Sequence, residues 1–188
     1  MKKILCAVAV AALLLALAAC GAPSAEDTLT GTAEEILLQL KEAPGVELSM
    51  TMDSPITAEI AHYVLGLTEA QFEQYVDSAY EAAAAISTFA QSNVVVKCKD
   101  IAAAAEVKKL IAAGYDSHKW ICVFPEQSVV VESGSYVLLS VGSAGLTNAF
   151  VEAFKTLSGD NIGTPDVFFT FADGGEPNGG EGGGLILR

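Results

Sequence analysis

Residues 127–157 constrain the fold more than any other stretch of this chain. Two apolar runs, 127–132 and 136–141, flank Ser133-Gly134-Ser135, the spacing and turn chemistry of a β-hairpin. Ser143 follows directly as an N-cap, opening a helix whose one face carries Leu146, Ala149, Phe150, Ala153, Phe154 and Leu157. A hairpin joined so closely to an amphipathic helix buries its apolar residues by laying helix against sheet, which points to an α+β domain.

The preceding residues repeat that order. Val94-Val95-Val96-Lys97-Cys98-Lys99 is β-branched at its start and alternating at its end, a strand pattern. Asp100 then caps a helix reaching to about Trp120, with Ile101, Ala104, Val107 and Ile111 as its apolar stripe and Gly114 as a weak point. Residues 79–89 admit two readings: the alanines favour helix, whereas Ile86, Thr88 and a Gln91-Ser92-Asn93 turn fit the first arm of a hairpin. Upstream, Thr32 with Glu35 and Thr68 with Gln71 are capping boxes that start helices ending near Lys41 and Tyr75. Residues 57–65 form another short helix, with Gly66 past its end. Residues 46–52 are extended or a short edge strand. The expected fold is a four-stranded antiparallel sheet, in the order strand, strand, helix, strand, strand, helix. Its helices pack on one face, short helices precede it, and the two units pair as a pseudo-repeat.

The N-terminal end fixes an address. Lys2 and Lys3 precede an apolar run, residues 4–19, too short for a spanning helix of about 20 residues but fitting a secretory signal. Leu17-Ala18-Ala19-Cys20 resembles the lipobox of bacterial lipoproteins. That resemblance implies lipid on the Cys20 thiol and cleavage before it. Residues 1–19 are then a signal, 20–31 a flexible tether, 32–158 the domain, and 159–188 an extension. Residues 166–171 of the extension are a possible edge strand, and residues 173–184, glycine-rich and acidic, are expected to be disordered.

The chain carries a net charge of −13, and loses Lys2 and Lys3 with the signal. Such acidity disfavours nucleic acid and anionic lipid heads as partners. Of four cysteines, Cys6 leaves with the signal and Cys20 takes the lipid. Cys98 and Cys122 remain, as a disulfide, which export permits, or as two free thiols. Neither they nor the two histidines have the spacing of a metal site. Glu59 and His62 would supply half of a di-metal site, and the other half is missing.

Other catalytic patterns fall short as well. Asp116-Ser117-His118 has the residue types of a triad, but adjacent residues do not give triad geometry. Gly142-Ser143-Ala144-Gly145 matches neither a phosphate loop nor a nucleophile elbow. Lys97 and Lys99, near Lys108 and Lys109, make a weak anion patch at most, and a solvated rim explains them better. Trp120, Tyr115 and Phe124 read as a corner of the core.

Residues 67–157 resemble a family of uncharacterised lipoproteins from clostridial and related Gram-positive gut bacteria. The likeness rests on a Leu67-Thr68-Glu69 start, Lys97-Cys98-Lys99-Asp100 closing a strand, Phe124-Pro125-Glu126-Gln127, and Gly134-Ser135-Tyr136-Val137-Leu138-Leu139. It covers roughly half of the mature chain. It implies an α+β architecture and a lipid-anchored place on the extracytoplasmic face, and no activity. The expected function is therefore a non-catalytic binding or interaction module without cofactor, meeting an envelope protein or ligand. The alternative is a small envelope enzyme, hydrolytic or thiol-dependent.

Overall fold

The computed structural model describes residues 27–86, 88–120 and 122–171, together with the backbone of 177–179. The expected signal, Cys20 and the first part of the expected tether lie outside these residues.

Both capping boxes form. Thr32 and Glu35 exchange hydrogen bonds of 3.1 and 2.9 Å at the start of α1 (Ala33–Lys41). Thr68 and Gln71 do the same at 3.2 and 2.8 Å for α3 (Glu69–Tyr75). Between them lie β1 (Thr51–Pro55) and α2 (Ala58–Leu65), which ends on Gly66 at φ +74°. The ambiguous alanine stretch belongs to a strand, β2 (Val76–Ala84), paired antiparallel with β3 (Ser92–Cys98). Its alanines serve close packing: Ala79 and Ala82 are buried on opposite sides of the sheet. After α4 (Ile101–Gly114) come β4 (Gln127–Ser133), β5 (Tyr136–Gly142), α5 (Ala144–Leu157) and β6 (Asp166–Phe171).

The domain is α+β with an antiparallel sheet, but the sheet is wider than four strands. Six strands run in the order β1-β2-β3-β5-β4-β6, and β7 (Pro177–Gly179) pairs beyond β6. The added strands satisfy edges that a four-stranded sheet would leave open: β1 covers β2, and β6 covers β4. Part of the stretch expected to be disordered is therefore paired, and the rest lies outside the described residues.

The helices also occupy both faces, not one. α2, α3 and α4 bury Leu65, Phe72, Val107 and Ile111 against Val94, Val96, Val130 and Leu139. α1 and α5 bury Ile36, Leu37, Phe150 and Phe154 against Val95, Val131 and Leu138. The reason lies in the central strands. Val94-Val95-Val96, Val129-Val130-Val131 and Val137-Leu138-Leu139 are unbroken apolar runs, and a strand apolar on both sides needs cover on both. The helices after β3 and after β5 consequently go to opposite faces, which breaks the symmetry of a pseudo-repeat.

Two expected boundaries shift. α4 stops at Gly114 rather than near Trp120, because Gly66 crosses it there (a Cβ on Gly114 would lie 2.6 Å from the Gly66 carbonyl oxygen). Residues 27–31, assigned to the tether, are docked. Leu29 is buried beside α1, and the Gly31 carbonyl accepts from Tyr136 Oη at 2.7 Å and Lys97 Nζ at 2.9 Å. The extension is tied down as well. Lys108 pairs with Glu132 at 2.7 Å and donates to the Thr164 carbonyl, joining α4, β4 and the chain entering β6.

Candidate functional site

Where β2 ends and β3 begins, the chain leaving α4 folds back over the sheet. Tyr115 is buried under this return, and Ser117 Oγ lies 3.0 Å from Ser128 Oγ inside it. The β4–β6 register slips between Ser128 and Val129, and the bulge brings Phe168 against Tyr115 and Phe169 against His118. The return segment is thus held to the sheet on one side and to α2 on the other.

That clamp sets the position of Lys119. Its Nζ sits over three rings, at 4.9 Å from Tyr63, 4.6 Å from Tyr115 and 5.0 Å from Trp120, and donates to the Tyr63 carbonyl at 3.1 Å. Glu81 is the nearby carboxylate, on β2, and accepts from Ser92 Oγ at 2.5 Å. Among the described residues Lys119 forms no ion pair. Burial brings its ammonium down to about 8, against the opposite pull of Glu81 and Asp116. Desolvation thus outweighs the attraction of the two carboxylates, while each ring contact favours the charged form by about 0.5–2 kcal/mol. The buried Tyr115 hydroxyl, which faces Ser92, is pushed well above its ordinary range by burial first and Glu81 second.

A cavity of about 310 Å³ opens between these groups. Glu81 and Ser92 line it from the sheet, Lys119 and Trp120 from the return segment, and Tyr63 from α2. Its remaining wall is made of Ala83, Ala84, Ala85, Ile86 and Phe89, with Gln91 at one edge. A second space of about 490 Å³ adjoins it, sharing Phe89 and Gln91 and running to the start of α5. Gln91 is 6% exposed, and its amide nitrogen has no partner. The helix start itself is already occupied: Ser143 Oγ accepts from Leu146 N at 3.3 Å and Glu126 Oε2 from Ala144 N at 2.9 Å. With its first donors taken and a carboxylate there, it offers no anion site.

The residues singled out from sequence are mostly elsewhere. Cys98 and Cys122 are unbonded thiols, the first buried in the core, the second exposed on the larger cavity. Burial first and Asp100 second push the Cys98 thiol up to about 12. Lys97 and Lys99 do not converge on an anion. Lys97 reaches Gly31 and lies 5.7 Å from the Tyr136 ring centre, whereas Lys99 donates to the Glu73 carbonyl at the opposite face. Asp116 accepts from His118 N at 2.8 Å in a local turn while Ser117 points into the core, so no triad assembles. Glu59 and His62 are exposed on α2, and among the described residues no three His, Cys, Asp or Glu side chains gather as metal ligands. The aromatic corner divides: Tyr115 and Trp120 cage Lys119, whereas Phe124 stacks on Phe171 at 5.5 Å.

Sequence reasoning passed over Lys119 and Glu81. The available signal was a lysine set between Tyr115 and Trp120, hidden by the expectation that a helix continued through it. No family model, curated protein or solved structure matches the chain.

Proposed function

We propose that this protein is a lipid-anchored binding module on the extracytoplasmic face of a bacterial cell membrane. The observation that carries the anchor is Leu17-Ala18-Ala19-Cys20 at the end of a signal-like run. Docking of the chain from Asp27 adds a geometric consequence. Only residues 21–26 separate the acylated cysteine from the fold, so the domain stays within about 25 Å of the bilayer surface.

A binding role is favoured over catalysis by how the reactive groups are used. The Cys98 thiol is held protonated in the core, and Ser117 and Ser143 are engaged by Ser128 and by the α5 N-terminus. What the fold presents to solvent is a concave space of ligand size, lined by polar groups on one part and by apolar side chains on the other.

Expression of the full chain in a bacterial host tests the anchor. The wild type should fractionate with membranes and carry the mass of a diacylglyceryl group on Cys20. Cys20→Ser should accumulate as precursor or leave the membrane. Full maturation and unchanged fractionation of that variant would refute the reading.

A further inference from the structure

The cavity beside Lys119 contains two opposite charges that do not satisfy each other. Lys119 Nζ has one carbonyl partner and three aromatic faces, and no carboxylate within ion-pair distance among the described residues. Glu81 lines the same cavity and accepts a single hydrogen bond from Ser92. A half-buried ammonium gains from an anion brought to it, and a half-buried carboxylate from a cation. Glu81 is fixed on a paired strand opposite Val94, and Lys119 is held by its rings and the Tyr63 carbonyl.

We propose that this cavity binds a free α-amino acid as its zwitterion, with the ligand carboxylate on Lys119, the ligand ammonium on Glu81 and an apolar side chain against residues 83–86 and Phe89. The assignment rests on the reading of the protein as a binding module and names its ligand class. Three features converge on it. Neither charged group sits in an ion pair among the described residues, which suits a ligand bearing one of each sign. The space of about 310 Å³ lies at the small end of the range for ligand sites, suited to a compact molecule. A zwitterion is neutral overall, so the strongly acidic protein does not repel it as it would a simple anion. The apolar wall selects the side chain: alanines leave room, while Ile86 and Phe89 supply contact area. Gln91, with its unpaired amide nitrogen, lies at the junction with the larger space.

Trp120 is the only tryptophan in the chain and forms part of the cavity, so its fluorescence reports occupancy directly. The full mature protein in detergent is titrated with leucine, with 4-methylpentanoate, which lacks the ammonium, and with leucinamide, which lacks the carboxylate. Leucine is expected to give a saturable change, and each analogue to bind at least tenfold more weakly. Lys119→Met should weaken leucine binding at least tenfold. Glu81→Gln should weaken leucine but narrow its advantage over 4-methylpentanoate. Retained thermal unfolding of both variants establishes that the loss is local. Should either variant fail to fold, the two analogues on the wild type decide the matter.

The proposal is overturned if no apolar amino acid gives saturable change up to about 10 mM, a Kd well beyond the millimolar range. It is equally overturned if an analogue binds as tightly as leucine, or if folded Lys119→Met binds like the wild type. Intact mass of the same preparation reads Cys20 acylation separately. A silent titration on an acylated chain removes the ligand assignment and leaves the anchor standing.

Discussion

Gly66 and Gly114 meet backbone to backbone, the last turn of α2 crossing the end of α4 with no side chain between them. Gly66 also sits at φ +74°, a conformation that other L residues adopt at a cost. The contact has a functional consequence. It ends α4, frees residues 115–120 to turn back across the sheet, and places Tyr63 of α2 beside Lys119.

Replacing Gly114 by alanine should therefore destabilise the protein, although glycine-to-alanine in a helix ordinarily stabilises by about 1 kcal/mol. The new Cβ would stand 2.6 Å from the Gly66 carbonyl oxygen, and backbone must move to admit it. A net loss of about 1–3 kcal/mol is expected, typical of overpacking. Urea denaturation measures it, and a neutral or stabilising result would show that the two helix ends are not locked together.

Lys119 makes the stability depend on pH in a particular direction. Its ammonium titrates near 8 in the fold and near 10.5 when freed from it. Below pH 8 both states hold the proton, and the fold bears the full cost of burying the charge. Between about 8 and 10.5 the unfolded chain holds more protons, so a rise in pH favours the fold. The groups that set this balance are Glu81 and Asp116, which favour the charge, and the burying rings of Tyr63, Tyr115 and Trp120. Lys119→Met has no ammonium to desolvate and should thus compare most favourably with wild type at pH 7. That advantage should fade by pH 10.5. Paired denaturation curves at pH 7 and 10 check it, and a constant difference would contradict the assignment.

The two thiols of the domain should differ sharply in reactivity. Cys98 is 2% exposed with its thiol raised to about 12, while Cys122 is exposed. Iodoacetamide at pH 8 should label Cys122 in the native protein and Cys98 only after unfolding, because the thiolate is the nucleophile. Peptide mass spectrometry distinguishes them. Comparable labelling of both would mean that the core opens readily. The same burial lowers stability as pH rises from 9 towards 12, since the unfolded thiol ionises first.

Most secondary structure was legible in the chain because its signals are local. Thr32–Glu35, Thr68–Gln71, Asp100, Ser143 and Gly66 act within one helical turn, and each forms the cap its spacing implies. Ser133-Gly134-Ser135 turns the β4–β5 hairpin for the same reason. Three of the central strands, β3, β4 and β5, follow from such local signals, and so does the α+β class.

The number of strands, the choice of faces and the site were decided by tertiary structure. Residues 79–84 carry helix-favouring alanines but become strand because β1 and β3 pair with them and helices press on both sides. Leu29, isolated in a polar stretch, docks because an apolar layer is already there to receive it. Lys119 and Glu81 lie far apart in sequence, and nothing local to either residue requires the other. Their shared cavity exists because the crossing of Gly66 and Gly114 ends α4 early, and a contact between distant backbones leaves no periodicity to read.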